Sequence, residues 1–325
     1  MAAIVIGASG HLGNAIVREL LAQDRAVTAV ARRARPAANL DGLPVRYVSA
    51  DAENPALLDS LMPGHDLVVD ASAPYPDTMA GAAEIERIGR AAAARMDMIV
   101  DAVRRHRARL LHISSFATLP DRSRGFLRMR RGLLRDSHPY FAAKAAMEAR
   151  VLEAARGGLP ATVINPTLCL GPWDQKPRER CFVARLLAGE APVSIAHVVN
   201  VVDVRDVART AVAAIGAARY GEPIAVAGHN LPLHMLCGWL CELAGVAAPK
   251  TIAPAPFSVA AAWWSEAAFG SAGRRPPLPA LAAILTVMHE TCDPGPLQLD
   301  LGAAPRPLSA TLADTLAWYR SIAYC

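Results

Sequence analysis

The chain has 325 residues, 53% of them hydrophobic, and a mean hydropathy of +0.23. That is material for one large domain or two lobes, and it excludes a disordered chain. The formal net charge of +5 comes almost wholly from arginine, with lysine only at 144, 176 and 250. This balance allows an anionic ligand but is too mild and scattered for a nucleic-acid surface, and no reader motif accompanies it.

No apolar run approaches ~20 residues, so no membrane span is expected. Met1–Ile6 lacks a basic leader and a long apolar stretch, and it is needed as a strand. It is therefore not read as a signal peptide, and the expected location is cytoplasmic. Cysteines 169, 181, 237, 241, 292 and 325 are too few for a disulfide framework in a chain this long, which points to reduced thiols. His234, Cys237 and Cys241 fall at i, i+3 and i+7, a spacing read as helical core packing in preference to a metal site.

The first element is Ile4-Val5-Ile6, a short apolar run read as a buried parallel strand. It leads into Gly7-Ala8-Ser9-Gly10-His11-Leu12-Gly13, and then Ile16/Leu20 and Val17/Leu21 recur at i, i+4 on one helical face. Strand, glycine loop and helix stand in the order of a nucleotide phosphate site. Gly7 permits the turn, Gly10 lets amides approach a pyrophosphate, and Gly13 allows close packing of helix on strand.

Val27–Ala31 is the second strand, ending in Arg32-Arg33-Ala34-Arg35. A carboxylate at that end would bind the ribose 2′-hydroxyl of NAD. Guanidiniums without a carboxylate suit the 2′-phosphate of NADP. Val45–Val48 is the third strand, followed by Asp51. Asn54-Pro55 supplies an N-cap and an N1 proline for a helix over Ala56–Leu61. Asp66–Asp70 is the fourth strand, with small residues Ala71-Ser72-Ala73-Pro74 after it. Glu84–His106 is a long helix, and Leu110–Ile113 a fifth strand ending at Ser114-Ser115. This β-α-β-β-α-β alternation predicts an α/β fold with a doubly wound parallel sheet.

Arginines 122, 124, 128, 130, 131 and 135 alternate with Phe126, Leu127, Met129, Leu133 and Leu134. The segment reads first as a solvated amphipathic face. The sharper reading is a docking surface for a carboxylate, a phosphate or an acidic carrier. Pro139 then opens a helix to about Arg156 with Tyr140 and Lys144 at i, i+4 on one face. Thr162–Asn165 is the sixth strand and Val198–Val202 another. Asp203 caps the next helix, Ile224–Ala227 is the last strand, and Leu231–Ala244 is helical. From Pro249 prolines become dense, and Trp263, Trp264 and Phe269 stand near Arg274 and Arg275. This is read as a smaller C-terminal substrate-binding lobe with loops over the site, closed by a final helix at Leu308–Ile322. The division is residues 1–169 (with 197–228 returning) against 170–325.

Tyr140 and Lys144 carry the chemistry. An unperturbed phenol, with a pKa near ~10, is a poor proton donor or base at neutral pH, and a nearby cation moves it toward neutral. Lys144 is placed to supply that charge. A hydroxyl after the fifth strand, Ser115 or its neighbour Ser114, would polarise a substrate carbonyl. A nicotinamide on the glycine loop would supply or take a hydride.

At these residues the chain resembles the extended short-chain dehydrogenase/reductases of the NAD(P)-dependent epimerase/dehydratase superfamily. Within them it is similar to the dihydroflavonol-reductase-like branch, including hopanoid-associated sugar-epimerase-like proteins. The segments that carry the likeness are VIGASGHLG (5–13), HISSFATL (112–119), YFAAK (140–144), INPTLCLGPWDQKP (164–177), NVVDVRDVA (200–208) and LADTLAWYRS (312–321).

The resemblance implies a Rossmann domain with a homodimer built through helices 84–106 and 140–156. It implies that Gly7, Gly10 and Gly13 hold the pyrophosphate, with Ser9, His11 and Leu12 in the same loop. Arg32 and Arg33 would meet a 2′-phosphate and Asp51 would approach the adenine. Ala71, Ala73 and Pro166 would border the cofactor, and Lys144 would also bind the nicotinamide ribose. Ser115, Tyr140 and Lys144 would form the catalytic set. The chain departs from the pattern at Ile6 (for threonine), at Ala143 (for serine) and at Phe116, where some relatives carry the hydroxyl. Thr118 therefore stays beside Ser115 as a candidate. The arginine segment differs from the acidic, proline-containing stretch of many relatives.

The function expected is an NADP(H)-dependent carbonyl reductase/alcohol dehydrogenase acting on a small metabolite, an anionic or carrier-linked one included. The alternatives are an NAD-dependent nucleotide-sugar epimerase/dehydratase and a non-catalytic NADP sensor. Neither nucleic acid nor membrane is an expected partner.

Overall fold

The computed structural model describes the chain except residues 52–53, 74–75, 77, 121–124, 177–180, 192, 272–275, 277, 290 and 324–325. Pro74, Arg122, Arg124, Pro177, Arg274 and Arg275, singled out above, thus lie outside the described residues.

Seven parallel strands form the central sheet. They are β1 (Ala2–Ile6), β2 (Ala26–Ala31), β3 (Val45–Ser49), β4 (His65–Asp70), β5 (Arg109–Ile113), β6 (Ala161–Pro166) and, reached late in the chain, β10 (Pro223–Val226). Their order is β10-β6-β5-β4-β1-β2-β3. The chain winds outward from β1 to β3, returns to β4 on the other side of β1, and continues to β10. The switch point therefore lies between the carboxyl ends of β1 and β4, where Ile6 pairs with Asp70. An open α/β sheet binds its ligand at that crevice.

Strand β1 is apolar on both faces. Ala3 and Val5 pack on α1 (His11–Ala22) and α7 (Val204–Gly216). Ile4 and Ile6 pack on the opposite layer, with α2 (Pro55–Leu61), α3 (Ala82–Arg105) and α5 (Pro139–Arg156). Ile4 and Met147 are both fully buried, and truncating either to alanine costs about 2–5 kcal/mol. Local signals set the helix ends as the sequence indicates. Asn54 accepts from the amides of Ala56 and Leu57 with Pro55 at N1, and Asp203 accepts from the Arg205 amide at 2.8 Å.

A third apolar core gathers residues from both halves of the chain. It includes Tyr140 and Phe141 at the start of α5, Leu186 of α6 (Phe182–Leu187), Leu236 and Cys237 of α8 (Leu233–Ala244), Ile284 of α10 (Ala280–Met288) and Leu316 of α12 (Leu308–Ser321). Two small sheets edge it. In one, β9 (Val198–Asp203) lies between β7 (Leu168–Leu170) and β11 (His229–Pro232); in the other, β12 (Thr251–Pro254) pairs with β8 (Val193–Ala196).

Here the structure corrects the sequence reading. Ile224–Ala227 is not the last strand, because β11 and β12 follow it, and residues 231–232 are extended rather than helical. The stretch after Pro249 holds regular elements that the sequence reading did not place. It forms β12, α9 (Ala255–Ser271), α10 and α11 (Pro296–Asp300), with Trp263 and Trp264 exposed on α9. Pro256 sits in the first turn of α9, where its missing N–H costs nothing. Among the described residues, no helix is long and apolar enough to cross a membrane.

Candidate active site

The glycine loop is shaped by main-chain contacts. Gly7 has φ +81° and leaves β1 in a left-handed turn that favours glycine. A Cβ on Gly13 would stand 2.2 Å from the Gly7 carbonyl oxygen, so only glycine lets α1 begin this close to β1. The Gly10 amide donates to that same oxygen at 2.9 Å. No side chain caps α1, and no acidic residue sits in its first turn. Its first amides are thus left to an anion, and the cradle fits a dinucleotide pyrophosphate. His11 is buried there, its Nε2 has no hydrogen-bond partner among the described residues, and burial pushes its pKa down.

A residue that sequence reasoning missed holds this loop. Asn39 is fully buried. Its amide donates to the Ser9 carbonyl at 3.0 Å and to the Trp173 carbonyl at 2.9 Å. Its own carbonyl accepts from Asn14 and Arg18, both at 2.9 Å, and the Arg18 guanidinium lies 4.4 Å over the Trp173 ring. Nothing local in Asn39 marks it; its partners are scattered from position 9 to 173.

Arg32 and Arg33 directly follow β2, are exposed, and have no carboxylate beside them in sequence. The Tyr47 hydroxyl donates to the Arg33 carbonyl at 2.6 Å and fastens the turn. Asp51 is exposed just past β3. Ala71 extends the β1–β4 pairing through its amide to the Ile6 carbonyl at 3.0 Å. Ala73 is partly exposed beyond it, and Pro166 ends β6 in a buried position.

Helix α5 carries Tyr140 and Lys144 inward. His138 caps it, its Nδ1 accepting from the Tyr140 amide at 3.2 Å, and Pro139 stands at N1. Tyr140 and Lys144 are 6% and 9% exposed. The Lys144 ammonium donates to the Ile113 carbonyl at 3.1 Å. Burial pushes its pKa down to about 8, against the opposing pull of Asp70. Asp70, at the end of β4, is fully buried between Arg95 at 2.8 Å and His112 at 3.0 Å. Against the cost of burial, those partners hold its carboxyl well below the usual range. Burial also keeps His112 neutral, so its Nδ1–H donates to Asp70.

The three candidate hydroxyls separate by their partners. Ser114 and Thr118 both donate to the Glu148 carboxylate. The Asn165 Nδ2 lies 2.9 Å from each of Glu148, Thr118 Oγ1 and the Ser115 carbonyl and shares its two N–H groups among them. Ser115 is held by its main chain, while its Oγ accepts the Ala117 amide at 3.2 Å and has no acceptor for its own proton among the described residues. Glu148 and Asn165 were not foreseen, although Glu148 lies four residues after Lys144 on the same helix face.

The arginine segment is not the solvated face the sequence suggested. It forms α4 (Gly125–Asp136), and among its described residues burial does not follow polarity: Leu134 is buried and Arg128 exposed as expected, but one arginine turns inward and two apolar side chains turn out. Arg131 is 5% exposed and donates toward the carbonyls of Met288 and His289, whereas Met129 and Leu133 are 56% and 63% exposed. Arg135 donates to the Leu119 carbonyl at 3.1 Å. Phe116, next to Ser115, stacks on His289 with ring centroids 3.9 Å apart. Beyond His289 lies a cavity of about 670 Å³. Cys237 and Cys241 are buried in the third core, whereas His234 is exposed at the cavity edge.

A family model described as the NAD dependent epimerase/dehydratase family matches residues 3–227. The chain belongs to that family. Among curated members of wider similarity, a Synechocystis protein named dihydroflavonol 4-reductase is 26% identical, over 98% of this chain and 95% of its own length. Sterol demethylase protein B of Methylococcus capsulatus is 27% identical, over 98% of both chains. The crystal structure of a nucleoside-diphosphate-sugar epimerase from Pseudomonas aeruginosa superposes on this epimerase/dehydratase-family chain with a TM-score of 0.75. It is 22% identical and covers 100% of this chain and 99% of its own. As an enzyme family of reductases, epimerases and dehydratases, it places oxidoreductase-type chemistry with a nicotinamide cofactor on this fold.

Proposed function

We propose that the protein is an NADP(H)-dependent carbonyl reductase/alcohol dehydrogenase in which Ser115, Tyr140 and Lys144 act together. One observation carries the reading. Of the three hydroxyls after β5, Ser114 and Thr118 donate to Glu148 and, among the described residues, Ser115 alone keeps a proton to offer, beside a helix that buries Tyr140 and Lys144 one turn apart.

The bound cofactor supplies or accepts the hydride. The Ser115 hydroxyl donates a hydrogen bond to the substrate oxygen and orients it. The Tyr140 hydroxyl gives its proton to that oxygen in reduction and takes it back in oxidation. Lys144, while protonated, favours tyrosinate through its charge and lowers the work of that transfer. Arg32 and Arg33 receive the 2′-phosphate, and Ala71, Ala73 and Pro166 leave room at the strand ends. Of the arginine segment, Arg131 and Arg135 turn toward main-chain carbonyls, while Arg128 is exposed.

Tyr140→Phe should lower turnover by about a thousandfold or more while NADPH affinity, followed by fluorescence titration, stays within about twofold. Full turnover in that variant would sink the mechanism.

The fold match to a sugar-nucleotide epimerase favours a second reading, an NAD-dependent epimerase or dehydratase. Phe116 and Ala117 supply no acid/base pair beside Ser115, and no carboxylate follows β2. Cofactor released from the purified protein decides between the two. Stoichiometric NAD that does not exchange would put the epimerase first.

A further inference from the structure

The cavity beyond His289 is not touched by the mechanism above, and its walls describe a ligand. Its volume of about 670 Å³ lies in the range of small-molecule sites, about 300–1,000 Å³. We propose that it takes the body of a neutral amphiphile, an apolar chain or ring system with a hydroxyl or carbonyl group at its inner end. The proposal rests on the reductase reading only for that inner end, which would be the part presented to Ser115.

Three observations support it. The inner wall adjoins the catalytic segment, because His289 lines the cavity and stacks on Phe116, the residue after Ser115. That wall is polar, and the His289 ring in it is uncharged. His197 gives its Nε2–H to the His289 carbonyl at 3.0 Å. His289 turns Nδ1 toward the Asn200 amide, and burial keeps its ring neutral, with a pKa pushed down to about 3. Arg131 also lines the cavity, and its guanidinium donates toward the Met288 and His289 carbonyls, so the cation is engaged by the wall itself.

The rest of the lining is mostly aliphatic, with His234 and Thr291 among it. Val198, Pro232 and Ile252 belong to it, and Val198 and Ile252 are 37% and 47% exposed. The apolar character continues past the mouth. Ile252 lies in β12, which runs directly into α9, and the solvent side of α9 carries Phe257, Trp263, Trp264 and alanines with no exposed charge. A helix apolar on its outer face is unusual beside water, and here it begins three residues after Ile252.

The test is calorimetric titration of the purified full chain with 1-octanol, 1-butanol and octanoate. Octanol should bind at least tenfold more tightly than butanol, because each buried methylene adds affinity, and octanoate should bind no more tightly than octanol. Ile252→Asp, at a half-exposed site where folding is not at stake, should weaken octanol at least tenfold and leave NADPH affinity unchanged. Octanoate binding tenfold tighter than octanol would make this an anion site and overturn the proposal. So would equal affinity for octanol and butanol, or octanol binding indifferent to Ile252→Asp. Failure of the reductase reading is visible separately, as turnover that survives Tyr140→Phe while octanol affinity stays as measured.

Discussion

At the glycine loop a single added methyl on Gly13 would meet a carbonyl oxygen at 2.2 Å, whereas at the cavity mouth Ile252 leaves 47% of its surface in water. The first site is built from main chain, which cannot move aside without shifting β1 and α1 together. The second is built from side chains on short strands, which can change size and polarity without disturbing the sheet. On the function proposed above, one fold would hold the cofactor with a rigid part and shape its substrate with a tolerant one.

The contrast is tested most severely at Gly13. Gly13→Val should abolish NADPH binding and destabilise the protein by more than about 4 kcal/mol in urea unfolding. A stable variant that binds NADPH would show that the loop can yield.

Lys144 tests the junction of the two regions. Its folded-state pKa of about 8 lies below the ordinary 10.5, so the unfolded chain binds the extra proton between those values. Stability due to this group is therefore lowest below pH 8 and recovers as pH rises toward 10.5. Burying the charge costs about 3 kcal/mol at pH 7. Lys144→Met should lose activity yet gain up to that amount at pH 7, with the gain roughly halved at pH 9.5. A gain independent of pH would assign it to packing alone.

Glu148→Gln comes next. Replacing an acceptor of three hydrogen bonds by an amide should loosen the Ser114–Thr118 turn and lower kcat/KM by about ten- to a hundredfold, with NADPH affinity unchanged. The smallest change in stability belongs to the exposed pair. Arg32→Ala with Arg33→Ala should stay within about 0.5 kcal/mol in urea, while the preference for NADPH over NADH falls by about tenfold or more. An unchanged preference would remove these two residues from the cofactor site.

The glycine spacing, the Tyr140–Lys144 pair, the Asn54-Pro55 start and the Asp203 cap were legible because each is written within a few neighbouring residues. The family and the parallel sheet followed from them. Other features needed distant partners. Strands β7, β8, β11 and β12 have only three or four residues each, and pairing decides them, not pattern. Helix α9 lacks a polar face, so its periodicity is silent, and Pro256 with the prolines just before it imitates a loop signal. Arg131 reads as a surface residue until α10 is folded against it. Glu148 gains meaning only when Ser114, Thr118 and Asn165 converge on it.

The Asn39 amide joins the cofactor loop to Trp173 across 134 residues. On a ribosome adding about 5–20 residues per second, those two residues emerge roughly 7–27 seconds apart. Strand β10, which closes the sheet beyond β6, comes later still. A nascent chain that already displays its glycine loop therefore lacks the clamp behind it. Loading of the dinucleotide should accordingly be a late event in synthesis, and ribosome-bound chains halted before Trp173 should retain it poorly.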